Sequence, residues 1–183
     1  VLFRSIIEKP DLKIEDGRFT PEILCGLGKV SGVQVSPDGS KLLYGVAYDN
    51  IELDKGNREL WVMNADGSDQ KRLTRTPFSE SNEAWIEGGK KIAFLGKNGE
   101  TMQVFVMDAD GSNRKCVSNV KDGVDGFVIS PDENKIAFIS QVKYGENVTD
   151  KHPDLKKSSA RIIDDMMYRH WDEWVTTIPH TFV

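Results

Sequence analysis

The sequence predicts an all-β chain, an incomplete β-propeller of two full four-stranded blades and most of a third, with a helical insertion in the third. Three observations predict it. Met63-Asn64-Ala65-Asp66-Gly67-Ser68 returns at 107–112 as Met107-Asp108-Ala109-Asp110-Gly111-Ser112. Lys41-Leu42-Leu43-Tyr44, Lys91-Ile92-Ala93-Phe94 and Lys135-Ile136-Ala137-Phe138 are one basic-then-apolar run, written three times. Turn-forming residues precede each run: Ser36-Pro37-Asp38-Gly39, Glu87-Gly88-Gly89 and Ser130-Pro131-Asp132-Glu133. Self-similarity with a period of about 40–45 residues is the mark of propeller blades.

Each element follows from local chemistry. Gly32 to Val35 enters a turn at Ser36 to Gly39, where Pro presets φ, Asp bonds its own backbone and Gly accepts positive φ. Lys41 to Val46 is rich in apolar and aromatic residues, as a strand requires. Asp49 to Asn57 reads as a polar loop. Glu59 to Met63 is the third strand and ends at Asp66-Gly67, a strong tight-turn signal. Gln70 to Thr74 is the outer, solvated strand. The second blade repeats the order at Glu83–Ile86, Lys91–Leu95, Gln103–Met107 and Arg114–Val117. The third starts at Phe127-Val128-Ile129 and continues through Lys135 to about Gln141. His180 to Val183 then mirrors Gln103 to Val106. Residues 1–30 read as an extension leading into the first blade, and 31–183 as the partial propeller. A propeller closes with about four to eight blades, so the chain is expected to be part of a longer protein or to associate with copies of itself through open blade edges.

Composition excludes some classes. The 183 residues carry a net charge of −5, with charges interspersed and no basic stripe, which argues against nucleic acid and anionic membrane as partners. No apolar run approaches the roughly 20 residues that span a bilayer. Val1 to Ser5 are too few, and too soon followed by charge, for a secretory signal, and no Met begins the chain. Cys25 and Cys116 are compatible with a disulfide or with two separate buried thiols. Asp108 to Asn113 superficially resembles a calcium loop but lacks the ligand positions and the closing Glu. A plain turn is expected there, and no metal or cofactor. His170 with Asp172 is too sparse for zinc.

The rhythm breaks between 144 and 178. Tyr144 to Lys157 is polar and reads as loop. Ile162, Ile163, Met166 and Met167 recur at helical spacing, which predicts a helix over 160–174 that projects beside the propeller mouth. Trp171 and Trp174 would share one face of it and anchor the insertion. Long insertions in a compact repeat fold are often functional. Within this one, Tyr168-Arg169-His170-Trp171-Asp172-Glu173-Trp174 gathers aromatics, a His and two carboxylates.

The repeats resemble those shared by prolyl-oligopeptidase-type serine peptidases and the Tol-system periplasmic propeller. The segment Arg161 to Trp174, with Arg169-His170-Trp171-Asp172 at its heart, is similar to the dipeptidyl-peptidase V and acylaminoacyl-peptidase branch of the former. This resemblance implies an N-terminal propeller followed by an α/β-hydrolase domain that carries Ser, Asp and His. No G-x-S-x-G elbow occurs here, so no catalytic residue is assigned in this chain. The resemblance further implies a periplasmic or secreted peptidase acting on short peptides, whose propeller gates access by size. The candidate substrate-binding residues are Asp172 and Glu173, for a peptide's ammonium group, with Arg169, His170 and Trp171 beside them. A bland reading competes: Asp172 pairs with Arg169 or His170 and only holds the insertion in place. At the level of the whole protein, the alternative is a non-enzymatic Tol-type scaffold that binds a protein partner.

Overall fold

A computed structural model describes residues 6–14, 17–164, 166 and 168–183. After helix α1 (Pro21–Gly26), the first blade comprises β1 (Lys29–Val35), β2 (Lys41–Asn50), β3 (Lys55–Asn64) and β4 (Lys71–Arg72), hydrogen-bonded in that order. The second comprises β5 (Ser81–Ile86), β6 (Lys91–Asn98), β7 (Thr101–Asp108) and β8 (Lys115–Cys116), again in sequence order. The third holds β9 (Gly126–Ile129) and β10 (Ile136–Lys143), and β13 (Thr177–Phe182) on the far side of β10. All pairings within the blades are antiparallel. The strand run that the repeats predict is therefore present in all three units.

Strand periodicity explains how the blades stack. Alternate residues of a strand face opposite sides. Ile92 and Phe94 of β6 turn toward the first blade, where they bury with Leu43, Leu60 and Met107. Ala93 and Leu95 turn the other way, and bury with Val104, Val124 and Phe127. The second blade is covered on both faces, which is why Ile92 to Leu95 is an unbroken apolar run. Burying each such large side chain stabilises the fold by roughly 1.5–3 kcal/mol. The outer faces stay apolar and open, with Val30 and Val33 exposed on one end and Val128 and Ile139 on the other.

The repeated Asp residues work as turn locks. Asp66 accepts from the Ser68 N–H (2.9 Å) and hydroxyl (2.6 Å), and Asp110 from the same groups of Ser112 (2.8 and 2.6 Å). Asp38 accepts from both Ser36 and Ser40, and these bonds hold its carboxyl down at about 2. The 108–113 segment is thus a turn.

A buried ion pair fastens the first blade to the second. Arg58 on β3 donates to both carboxylate oxygens of Glu83 on β5 (2.9 and 2.5 Å), to the Glu80 carbonyl (2.8 Å) and to Ser31. Its guanidinium lies where side chains are missing. A Cβ on Gly45 would stand 1.9 Å from Arg58 Cζ, and one on Gly32 would stand 2.1 Å from Glu83 Oε1. The second joint is stitched by neutral groups: the Asn82 amide donates to the Phe127 carbonyl (2.9 Å) and accepts from its N–H (3.1 Å).

Several expectations need correcting. The polar stretch 49–57 is mostly ladder, because Asp49 pairs with Gly56 and Asn50 with Lys55, leaving only a tight turn between them. The outer strands shrink to two residues each. A short helix, α1, appears where none is expected; the Thr20 hydroxyl accepts from the Ile23 N–H at its N-terminus and Pro21 opens it. Cys25 and Cys116 are separate thiols, half-buried rather than buried.

The largest correction concerns the insertion. The described residues of 160–174 are not a helix. Arg161 bridges back to Asn147, and Arg169–His170 (β11) pairs with Glu173–Trp174 (β12) as a hairpin. The only α-helix among the described insertion residues is α2 (Val148–Lys151). The apolar spacing fits a helix, but an isolated helix of this length is marginal, and β-branched neighbours such as Ile162 and Ile163 favour extended backbone. Met167 of the expected stripe and the interleaved Asp165 lie outside the described residues, as do Val1 to Ser5.

Candidate functional site

The insertion leaves β10 at Lys143 and returns at Thr177, and these two residues are themselves a ladder pair. The Tyr144 N–H donates to the Thr176 carbonyl (2.9 Å), so the ladder continues into the insertion and clamps its base. Asp150 on α2 accepts from the Asn147 N–H (2.7 Å) and pairs with Lys143, which holds its carboxyl below the usual range. Above this base the chain makes the β11–β12 hairpin, closed by the Val175 N–H donating to the Tyr168 carbonyl (3.0 Å).

The five candidate residues Arg169, His170, Trp171, Asp172 and Glu173 all fall on this hairpin. Arg169 pairs with Trp174 and His170 with Glu173, so Trp171 and Asp172 are the two turn residues. Trp171 adopts φ 54°, a left-handed conformation usual for Gly at such a turn and uncommon for a bulky side chain. The residue is 87% exposed, with the His170 ring edge-on at 6.4 Å. It is not the buried anchor that the helical reading expects, and it shares no helical face with Trp174. Asp172 and Glu173 are exposed and form no salt bridge among the described residues. The bland pairing of Asp172 with Arg169 or His170 is thus not formed.

Behind the tip lies a small cavity of about 110 Å³. Tyr168 and Trp174 line it with Arg161, Ile162, Ile163 and Asp164. The Arg161 guanidinium stacks over the Trp174 ring at 4.9 Å, Arg169 approaches the same ring at 5.5 Å, and Tyr168 sits 6.0 Å from it. Cation–π contacts of this kind contribute about 0.5–1 kcal/mol each at exposed sites. They fix the hairpin from behind. Ile162 and Ile163 are cavity wall rather than a helix stripe. Arg161, Asp164 and Tyr168 also border the site; of these, only Tyr168 belongs to the dense cationic and aromatic run at 168–174 that marks it in the sequence.

The arrangement presents two carboxylates and an exposed indole on a braced tip. No group of three or more His, Cys, Asp or Glu able to hold a metal exists among the described residues. Among those residues, no helix is long and apolar enough to cross a membrane.

Known proteins share this architecture. Over 164 residues the chain is 45% identical to dipeptidyl-peptidase 5 of Porphyromonas gingivalis, a match that covers 90% of this chain and 24% of that protein. Dipeptidyl-peptidase 5 of Porphyromonas endodontalis is 36% identical over 169 residues, 92% of this chain and 24% of that protein. The chain therefore spans about a quarter of the length of these curated relatives. The acylaminoacyl peptidase of Pyrococcus horikoshii superposes with a TM-score of 0.55 at 19% identity, over 67% of this chain and 19% of that one, which shows the common fold. Residues 26–174 match the family PD40, TolB beta propeller domain. With its blade repeat, its turn chemistry and this match over most of its length, the chain belongs to the TolB β-propeller domain family.

Proposed function

We propose that this chain is the propeller portion of a serine dipeptidyl or oligopeptidase whose α/β-hydrolase domain lies outside it. The observation that carries the reading is the 45% identity to dipeptidyl-peptidase 5 across nine-tenths of the chain. The propeller gates access to the catalytic chamber, and the hairpin tip reads the peptide's N-terminus. Asp172 and Glu173 bind the ammonium group, Trp171 covers the first side chains, and Arg169 and His170 shape the tip. Exposed carboxylates without ionic partners among the described residues support that role, since they keep their acceptor capacity for an incoming cation. The same relationship supports a periplasmic or secreted location. Residues 144–176 are the inserted recognition element, two residues shorter than the 144–178 that the sequence suggests because Thr177 and Ile178 already pair with β10, and 31–143 with 177–183 are the blade framework.

The test uses the full-length protein on free and N-acetylated peptides. Asp172→Asn and Glu173→Gln are expected to lower kcat/KM for the free peptide by an amount worth roughly 1.5–3 kcal/mol, the range for hydrogen bonds to charged groups, and to leave the acetylated peptide unchanged. Equal losses on both peptides would return the hairpin to a structural role. Absence of any peptidase activity in the full-length protein would favour the Tol-type scaffold.

A further inference from the structure

We propose that the joint between the first two blades is a proton-binding site: one proton, carried by the buried Glu59–Glu80 pair, completes the hydrogen bonding of that joint, and its release loosens that joint and not the next.

The donor count requires it. Glu80 is fully buried and Glu59 is 3% exposed. Glu59 Oε1 accepts from the Asn57 amide (2.9 Å), Arg72 (3.0 Å) and the Thr76 N–H (2.9 Å), yet Glu59 Oε2 is buried with no partner among the described residues. The single Thr76 hydroxyl proton faces two acceptors, Glu80 Oε1 at 2.7 Å and the Phe78 carbonyl at 2.8 Å. Thr74 Oγ1 accepts from the Leu60 N–H and donates to Glu80 Oε2 at 3.0 Å. The cluster is thus short of donors, and a protonated carboxyl supplies one. Burial, with the Glu59 carboxylate next in weight, pushes Glu80 up to about 7.

The surrounding charges do not replace the proton. Arg114 stands 3.4 Å from Glu80 Oε1 but is spread over the Phe94 and Phe105 rings (5.2 and 4.6 Å). Arg72 is shared between Glu59 and Glu8, and Arg75 also pairs with Glu8. Arg58 is taken by Glu83 and reaches Glu80 only at its backbone carbonyl. No third carboxylate, His or Cys joins the pair to make a metal site among the described residues.

The second joint is the internal control. The offset that carries Met63 onto Met107 carries Glu59 onto Gln103, Thr74 onto Ser118, Thr76 onto Val120 and Glu80 onto Val124. The backbone bonds are the same. Glu80 N–H donates to the Arg58 carbonyl as Val124 N–H donates to that of Met102, both at 2.9 Å. Leu60 N–H meets Thr74 as Val104 N–H meets Ser118 (2.9 and 2.8 Å). The Gln103 amide donates to Thr101 (2.9 Å) and to the Val120 carbonyl (2.7 Å), and its oxygen accepts from Ser118 (2.6 Å) and the Val120 N–H (3.0 Å). Gln103 is fully satisfied there without a carboxyl group; the titratable side chain at that edge is the Cys116 thiol, which donates to the Ser118 carbonyl (3.2 Å) where Arg72 donates to that of Thr74 (2.9 Å).

The test is made on the full chain labelled with 13C at Glu carboxyl carbons. One carboxyl is expected to titrate near pH 7, and its signal to vanish in Glu80→Gln. Should that variant fail to fold, Glu59→Gln with Glu80→Val copies the second joint's residues and serves instead. Amide exchange gives the second readout, since base catalysis acts on both joints alike and cancels in their ratio. From about pH 6 to about pH 8, protection of the Leu60 and Glu80 amides is expected to fall roughly tenfold relative to Val104 and Val124, and to stay level in the variants. A wild type in which all Glu carboxyls finish titrating well below neutrality, or in which both joints loosen together, would overturn the proposal.

Discussion

The two blade joints use one backbone and two chemistries. The first is ionic, with Arg58 locked onto Glu83 and Glu80 set beside Glu59. The second puts Gln103, Val120 and Val124 in the same layer, and its stitching is done by the Asn82 amide. Apolar burial is similar on both sides of the second blade, so the joints differ less in how tightly they hold than in what can undo them. Neutral hydrogen bonds ignore pH and salt. A buried charge pair holds only while both partners and the right protons are present.

Removing Glu83 should separate the joints most. Glu83→Ala strands the Arg58 guanidinium in a site with 16% side-chain exposure, and breaking a buried pair this way costs about 3–5 kcal/mol. At the position matching Arg58, Met102→Ala only thins an apolar contact and should cost less, about 2 kcal/mol. Urea midpoints of the two variants check the order, and a reversed order would mean that the ion pair adds little. A finer probe is the hydroxyl pair. Thr74→Ala and Ser118→Ala each orphan a backbone N–H, for roughly 1–2 kcal/mol. Only the first also strips a donor from Glu80, so only its cost should vary across neutral pH.

The blades were legible because the chain states them three times in turn residues and apolar runs. The insertion was less so. Ile162, Ile163 and Met166 satisfy a helical spacing, yet the segment is held by a bridge from Arg161 to Asn147 and by stacking on Trp174, contacts between residues whose nearness the one-dimensional pattern does not express. The candidate residues Arg169 to Glu173 were found as a cluster, whereas the turn that exposes Trp171 depends on a register set only by pairing. The acid pair was written in the sequence all the same. Aligning the two repeats places Glu59 against Gln103 and Glu80 against Val124, a change of charge at positions that a blade otherwise keeps buried and neutral.

The contrast between the joints is tested most directly by stability against pH. Glu80 holds its proton up to about 7 in the fold and to the ordinary carboxylate value of 4.5 when unfolded. Between these values the folded chain binds the extra proton, so stability is full below about pH 4.5 and is lost as pH rises toward 7, by about 3 kcal/mol in all. The turn carboxylates act elsewhere: the folded pKa of Asp38 is depressed, so its contribution is lost only as pH falls toward about 2. Urea unfolding of the full chain from about pH 4.5 to about pH 8 is therefore expected to show a falling profile in the wild type and a level one in Glu59→Gln/Glu80→Val. Parallel profiles for the two proteins would contradict the account.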